Sequence, residues 1–217
     1  MTFARTERST VKRLPARASY DRDLAHSILD EALIAHVGIA DGDQAYVIPM
    51  MFARCGDDIV LHGSPASRLL RSIKAGTPVC VTVTHIDGLV LARSAFHHSM
   101  NYRSVVVLGV ATVVEDLDHK AKVLDALVEH LVPGRTADAR RPSTKELQAT
   151  LVLTVPIEEV SVKVRTGPPL DDEDDLGLPV WAGVLPLRIT AGEAIADDGA
   201  DGMTVPPYLS TAPRFSR

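Results

Sequence analysis

Residues Leu89–Ala111 read L-V-L-A-R-S-A-F-H-H-S-M-N-Y-R-S-V-V-V-L-G-V-A. Two apolar, β-branched segments flank a polar knot of His97, His98, Ser99, Asn101, Tyr102, Arg103 and Ser104. A plain surface hairpin needs only a Gly, an Asn or a Pro at its turn. Donors, a guanidinium and a phenol ring gathered at the mouth of two strands point instead to a site for an anionic ligand presented by a rigid sheet.

Outward from this stretch the chain reads mostly as strands. Val79 to His85 alternates Val79, Val81 and Val83 against Cys80, Thr82 and Thr84. Asp87-Gly88 is a hairpin-turn signal leading into a strand over 89–96, and Val105 to Val114 is the strand after the knot. Gly109, inside it, implies a bulge or a close backbone approach. Before these come a β-like segment at 33–40, a turn at Asp41-Gly42-Asp43, a strand at 44–55, a turn at Gly56-Asp57-Asp58 and a short strand at 59–62. The last strands are 151–155 and 160–164.

Helices are few. Asp21 caps one through Leu24, Ile28 and Leu29, and Ser64-Pro65-Ala66 opens a short one through Leu69, Leu70 and Ile73. Asp116 caps the clearest, whose stripe is Leu117, Ala121, Leu124, Leu127, Val128 and Leu131, ended by Pro133-Gly134. About seven short strands, mostly sequential, with two or three helices predict a mainly β (α+β) barrel; a doubly wound sheet needs a helix between successive strands. Residues 1–20 read as an N-terminal arm, 21–187 as the domain and 188–217 as a tail rich in Asp, Gly and Pro.

The 217 residues are 46% hydrophobic, enough for one core, and the formal charge of −5 argues against a general grip on nucleic acid. An anion must therefore be held by a local cluster of cations. Cys55 and Cys80 read as reduced thiols. No segment has the pattern of a secretory signal or a membrane span, so a cytoplasmic protein is expected.

Four segments in order give a resemblance: A-Y-V-I-P-M-M-F at Ala45–Phe52, L-H-G-S-P-A-S-R-L-L at Leu61–Leu70, F-H-H-S-M-N-Y-R-S-V-V-V-L-G at Phe96–Gly109, and V-W-A-G-V-L-P-L at Val180–Leu187. Across roughly 10–187 the chain resembles the pyridoxamine 5′-phosphate oxidase-like superfamily of FMN-binding split barrels, closest to its 5-nitroimidazole-reductase-like branch. The resemblance implies a six-stranded antiparallel split β-barrel with flanking helices. It also implies a homodimer with FMN at the subunit interface, acting as an oxidoreductase between a nicotinamide donor and a small organic acceptor. Haem, a deazaflavin, pyridoxamine-phosphate oxidation or a non-enzymatic flavin sensor are the alternatives on the same barrel.

The resemblance implies cofactor-binding roles for Ile48, Pro49, Met50, His62, Gly63, Ser64, Ser67, Arg68, Leu69, His98, Tyr102, Arg103, Ser104 and Trp181. Ser64, Ser67 and Arg68 sit where a strand hands over to a helix, offering hydroxyls and a guanidinium to a phosphate, or else merely a helix cap. Many relatives carry Lys near position 68. Tyr102 and Ser104 share one strand face and Arg103 opposes them. A bulge must re-aim one of them, or Arg103 serves a partner subunit. Pro49 cannot donate to a ladder and belongs at an edge or a bulge, where a flavin would lie. For a haem, the axial ligand would come from His62, His85, His97 or His98. Trp181 stacks on a flavin or packs in a core or an interface, and the acidic run Asp171–Asp175 reads most simply as a solvated loop. No nucleophile–base pair assembles, and a metal at His97–His98 lacks a third ligand in register.

Overall fold

The computed structural model describes residues 1–200 and 202–211. Ten strands form one antiparallel sheet: β1 (Ala18–Ser19), β2 (Ile34–Asp41), β3 (Gln44–Cys55), β4 (Asp58–Gly63), β5 (Val79–Leu91), β6 (Ser99–Gly109), β7 (Thr112–Val113), β8 (Leu151–Pro156), β9 (Glu159–Arg165) and β10 (Gly183–Pro186). Their order is β1-β9-β6-β5-β2-β3-β4-β8-β7, with β10 added to β5. The sheet ends in β1 and β7 without closing, which makes the barrel a split one.

The β2–β3 and β3–β4 hairpins turn through two residues each, with Gly42 and Gly56 first at φ 59° and 62°. Glycine adopts such angles without steric cost. The main core joins the inward rows of the barrel, such as Val37, Leu61, Val81, Val105 and Val162, to α1 (Arg22–Glu31) and α2 (Arg68–Lys74). A smaller core gathers Ala53, Val60 and Val152 beneath Val123 and Leu127 of α3 (Leu117–Leu131). β4 and β8 are thus buried on both faces, which is why they read as unbroken apolar runs. Two further helices are α4 (Thr144–Ala149) and α5 (Pro207–Thr211).

Asp21 and Asp116 cap their helices as read, accepting from the N–H of Leu24 and His119, while the short helix opened by Ser64-Pro65-Ala66 takes Ser67 as its cap, which accepts from Leu70 N–H. Gly109 is the close approach foreseen: a Cβ there would stand 3.0 Å from Val155 Cγ1. Three readings need correction. Asp87-Gly88 makes no turn; β5 runs straight through it, with a bulge between Ile86 and Gly88. The true reversal is 92–98, so His97 and His98 sit at the hairpin tip. Gly88 is required because β10 lies against it, Leu185 O and Val184 Cγ1 being 3.0 Å from where a Cβ would be. In α3 the buried row is Lys120, Val123 and Leu127, and Lys120 enters because its Nζ donates to Leu147 O (3.2 Å) and Thr150 O (3.1 Å). Finally, the N-terminal arm is packed. Phe3 is buried, Phe3 N donates to Tyr20 O, and Thr6 and Arg8 both bind Glu159. Of the tail, residue 201 and residues 212–217 lie outside the described residues.

Candidate functional site

Alternation along β6 puts Asn101, Arg103, Val105 and Val107 on the inward side and Tyr102 and Ser104 on the outer one. Arg103 is held within its own chain. Its Nη1 and Nη2 meet Glu31 at 2.6 and 3.1 Å, and Nε and Nη2 meet Asp87 at 3.0 and 2.8 Å. Its hydrogen bonds to Glu31 and Asp87 raise its already high pKa against the opposing effect of burial. Two carboxylates already neutralise this cation. Its misfit on the strand therefore reflects an internal ion pair, and it needs no partner subunit to explain it. Asp87 reaches Arg103 from the bulge that sequence reading took for a turn.

The start of α2 fits a phosphate better. Ser64 Oγ accepts from Ala66 N (3.2 Å) and Ser67 Oγ from Leu70 N (3.5 Å). A hydroxyl that only accepts keeps its own O–H to give, so capping and anion binding are compatible here. Arg68 Nη1 donates to Tyr46 Oη at 3.0 Å, and its guanidinium carbon lies 5.3 Å from that ring's centroid. Among the described residues no carboxylate pairs with Arg68. Gly63 precedes this turn at a tight point, since a Cβ would come within 2.8 Å of Leu70 Cδ1. The Leu69 side chain is buried in the core, so only its backbone is available to a ligand.

Tyr46 links this turn to the middle of β3, a link the sequence reading missed although Tyr46 lies in the quoted segment two residues before Ile48. β3 pairs with β2 over 44–51 but with β4 only over 52–55. Over 44–51 its other side is therefore an open edge, and Pro49 stands there, where a missing N–H breaks no β4 ladder. Val47 is 60% and Ile48 43% exposed, on opposite faces, while Met50 packs partly against the core. A planar ring system has both backbone groups and apolar surface available along this edge.

The two halves of the expected phosphate grip do not converge within one chain. Ser104 lies on β6, and the sheet runs β3-β2-β5-β6. Tyr46, which holds Arg68, packs against the inward core, whereas Ser104 lies on the outer face of β6, so the two halves sit on opposite faces of the sheet.

The histidines divide clearly. His85 Nε2 is hydrogen-bonded to Ile28 O (3.0 Å), and His97 Nε2 meets Asp172 (3.1 Å). His98 Nδ1 bonds Ser94 O at 3.0 Å; as donor to a carbonyl, it leaves the Nε2 lone pair free to bind. His62 stands apart: its Nδ1 is buried without a partner, and burial lowers its pKa by disfavouring the charged ring. It lines a cavity of about 340 Å³ with Met51, Leu124, Val128, Arg140 and Arg141. Both arginines meet carboxylates, Glu146 at 2.8 Å and Asp125 at 3.7 Å.

The acidic run is only partly a solvated loop. Asp171 is buried and takes two bonds from Arg93, at backbone N and Nη1, both 2.8 Å. With Asp172 on His97, it ties the hairpin tip to the chain after β9. Trp181 is 67% exposed and lies over Gly183, where a Cβ would meet its ring at 2.9 Å. Cys55 and Cys80 are free thiols. Among the described residues no helix is long and apolar enough to cross a membrane.

An unclosed antiparallel barrel with an open strand edge beside a Ser/Arg helix turn defines a split-barrel protein. The profile of the pyridoxamine 5′-phosphate oxidase family matches residues 21–164, and the chain belongs to that family. Among solved structures it is similar to the flavocytochrome Anf3 of Azotobacter vinelandii, at 40% identity and a TM-score of 0.88, covering 95% of this chain and 96% of that one. It is similar also to an FAD and heme binding protein of Mycobacterium smegmatis, at 38% identity and a TM-score of 0.86, covering 90% and 96%. A protein named as a candidate 5-nitroimidazole antibiotic resistance protein of Bacteroides thetaiotaomicron is 27% identical with a TM-score of 0.57, covering 68% and 86%. No curated protein matches the chain.

Proposed function

We propose that this protein is a flavin-dependent oxidoreductase that also carries a haem. It would take reducing equivalents from a nicotinamide donor and pass them to a small acceptor. The observation that carries this reading is the likeness, at 38–40% identity over at least 90% of the chain, to one flavocytochrome and one FAD and heme binding protein. FMN is what the sequence resemblance implies; the second of these likenesses favours FAD. A bound flavin would supply hydride and single-electron chemistry, and a haem single-electron chemistry.

The chain's own residues fit both groups. Arg68, free of carboxylates, and the Ser64 and Ser67 hydroxyls would bind a flavin phosphate beside the open edge at Ile48, Pro49 and Met50. Gly63 keeps that turn tight. His62, whose buried Nδ1 has no partner, would ligate iron in the cavity beside α3, whose volume lies in the range of cofactor pockets, about 300–1,000 Å³. His98, with Nε2 free at the hairpin tip, would face a ligand on the other side of the barrel. The unit carrying this function is residues 21–187. We place it in the cytoplasm, as a homodimer whose interface covers the exposed outer face of the sheet and brings Tyr102, Ser104 and Trp181 to the partner's flavin.

The test is the absorption spectrum of purified protein reconstituted with flavin and haem, with acid-released flavin identified by chromatography. Flavin bands, a Soret band and bleaching by NADH or NADPH without oxygen are expected. His62→Ala should abolish the Soret band and retain flavin. Arg68→Ala should weaken flavin binding about tenfold or more and leave the Soret band intact. Failure to retain any flavin overturns the reading.

A further inference from the structure

The hairpin mouth does hold an unbalanced cation, but it is Arg165. This residue ends β9 opposite Tyr102 of β6, and only 6% of it is exposed. Its Nη1 donates to Asn101 Oδ1 and to Gly167 O (3.2 Å), and its Nη2 to Pro168 O (3.1 Å). Asn101 is itself buried, with Nδ2 on Gly167 O at 3.1 Å. Every acceptor is neutral, and Nε is buried with no partner at all. A buried charge normally has a counter-charge, because desolvation is otherwise uncompensated.

The charged side chain that acts most on it is another cation. Arg17, at the end of a short 3-10 turn spanning Pro15–Arg17, acts on Arg165 through like-charge repulsion, second only to burial in lowering its pKa. Arg17 and Arg165 line one cavity of about 280 Å³ with Ala16, Thr166, Pro168 and Leu170. Lys163, two residues earlier on β9, donates to Arg13 O at 3.2 Å. Among the described residues no carboxylate pairs with Arg13, Arg17, Lys163 or Arg165. Two cations without a carboxylate partner, Arg17 and Arg165, thus share one cavity on a chain whose formal charge is −5. The backbone is also held for this purpose: Leu14 caps the turn at φ 54°, an angle side chains other than glycine rarely adopt, and β1 fixes the following residues to β9. The arm thus delivers Arg17 to the end of the strand bearing Arg165.

We propose that the cavity between Arg17 and Arg165 binds a phosphate group of a small molecule, the anion supplying the counter-charge that both guanidiniums lack. Arginine suits this because its planar fork binds phosphate oxygens in pairs. The site shares no residue with the open edge of β3 or with the cavity of His62, so phosphate binding here is tested whether or not those assignments hold. The phosphate belongs either to a nucleotide bound from solution or to the flavin nucleotide itself.

The experiment titrates inorganic phosphate into the purified protein, at ionic strength held constant with chloride, and follows binding by calorimetry and by thermal shift. ADP is titrated in parallel. Saturable phosphate binding is expected, weakened about tenfold or more in Arg17→Ala and largely restored in Arg17→Lys. Arg17 is partly exposed, so its removal tests the site even if Arg165→Gln fails to fold. If the phosphate is a free nucleotide's, ADP binds more tightly than phosphate and Arg17→Ala keeps its flavin. If it is the flavin's, Arg17→Ala loses flavin as well. Equal phosphate affinity in parent and Arg17→Ala, or no saturable binding, overturns the proposal.

Discussion

At the scale of single residues, charge balance separates ligands from struts. Arg103 sits between Glu31 and Asp87, whereas among the described residues Arg68 and Arg165 have no carboxylate partner. Arg103→Met should therefore lower stability and leave flavin content unchanged. The expected loss is about 1–2 kcal/mol, below the value for a fully buried pair because the three side chains are a quarter to two-fifths exposed. For a chain of this size that is roughly 2–4 °C of melting temperature per kcal/mol. A variant that melts like the parent but loses flavin would return Arg103 to the binding site.

Asp171 makes a second prediction. Burial works to raise its pKa, but the Arg93 side chain and backbone N–H bonds outweigh it, and the carboxyl is held below its ordinary value. The group therefore binds its proton more weakly folded than unfolded. Its contribution is present above the unfolded value, about 3.9, and is lost as pH falls through the lower folded value. The melting-temperature difference between parent and Asp171→Asn should be steady near neutrality and shrink towards zero in acid. A difference independent of pH would mean that Asp171 acts through shape rather than charge.

At the scale of elements, the fold was legible where local chemistry and tertiary packing agree. The caps at Asp21 and Asp116, the two Gly-led hairpins and the alternation of β5, β6 and β9 are all local signals. Asp87-Gly88 misled because its residues favour a turn on their own. What decides there is β10, about a hundred residues later in the chain, which needs the space a side chain would take. The site was legible as chemistry and illegible as pairing. The knot's donors were evident, but nothing near Arg103 in sequence announces Glu31, and nothing near Asn101 announces Arg165. Gly88→Ala tests the reason offered for β10. The new methyl would press on Leu185 O and Val184, at a cost of about 1–2 kcal/mol. Hydrogen exchange at 183–187 should quicken, while the β6–β9 ladder stays protected. Unchanged protection of β10 would show that it adjusts without loss.

At the scale of the whole molecule, the outer face of the sheet is the unfinished surface. Leu185, Leu89 and Met100 lie side by side across β10, β5 and β6, at 51%, 37% and 44% exposure. Ile86, opposite Tyr102, continues the row, and Val47 and Ile34 extend the same face over β3 and β2. Contiguous exposed apolar surface of this kind marks an interaction face. In a two-fold dimer the same patch meets itself, so one charge substitution places a charge on both copies at once. Light scattering should give the parent twice the mass of one chain, with a melting temperature that rises with concentration. Met100→Glu should give a single-chain mass and a melting temperature independent of concentration. The isolated chain should tolerate the change, because Met100 already faces water there. A parent that scatters as one chain, or a Met100→Glu variant that still pairs, would mean that this face meets something other than a second copy.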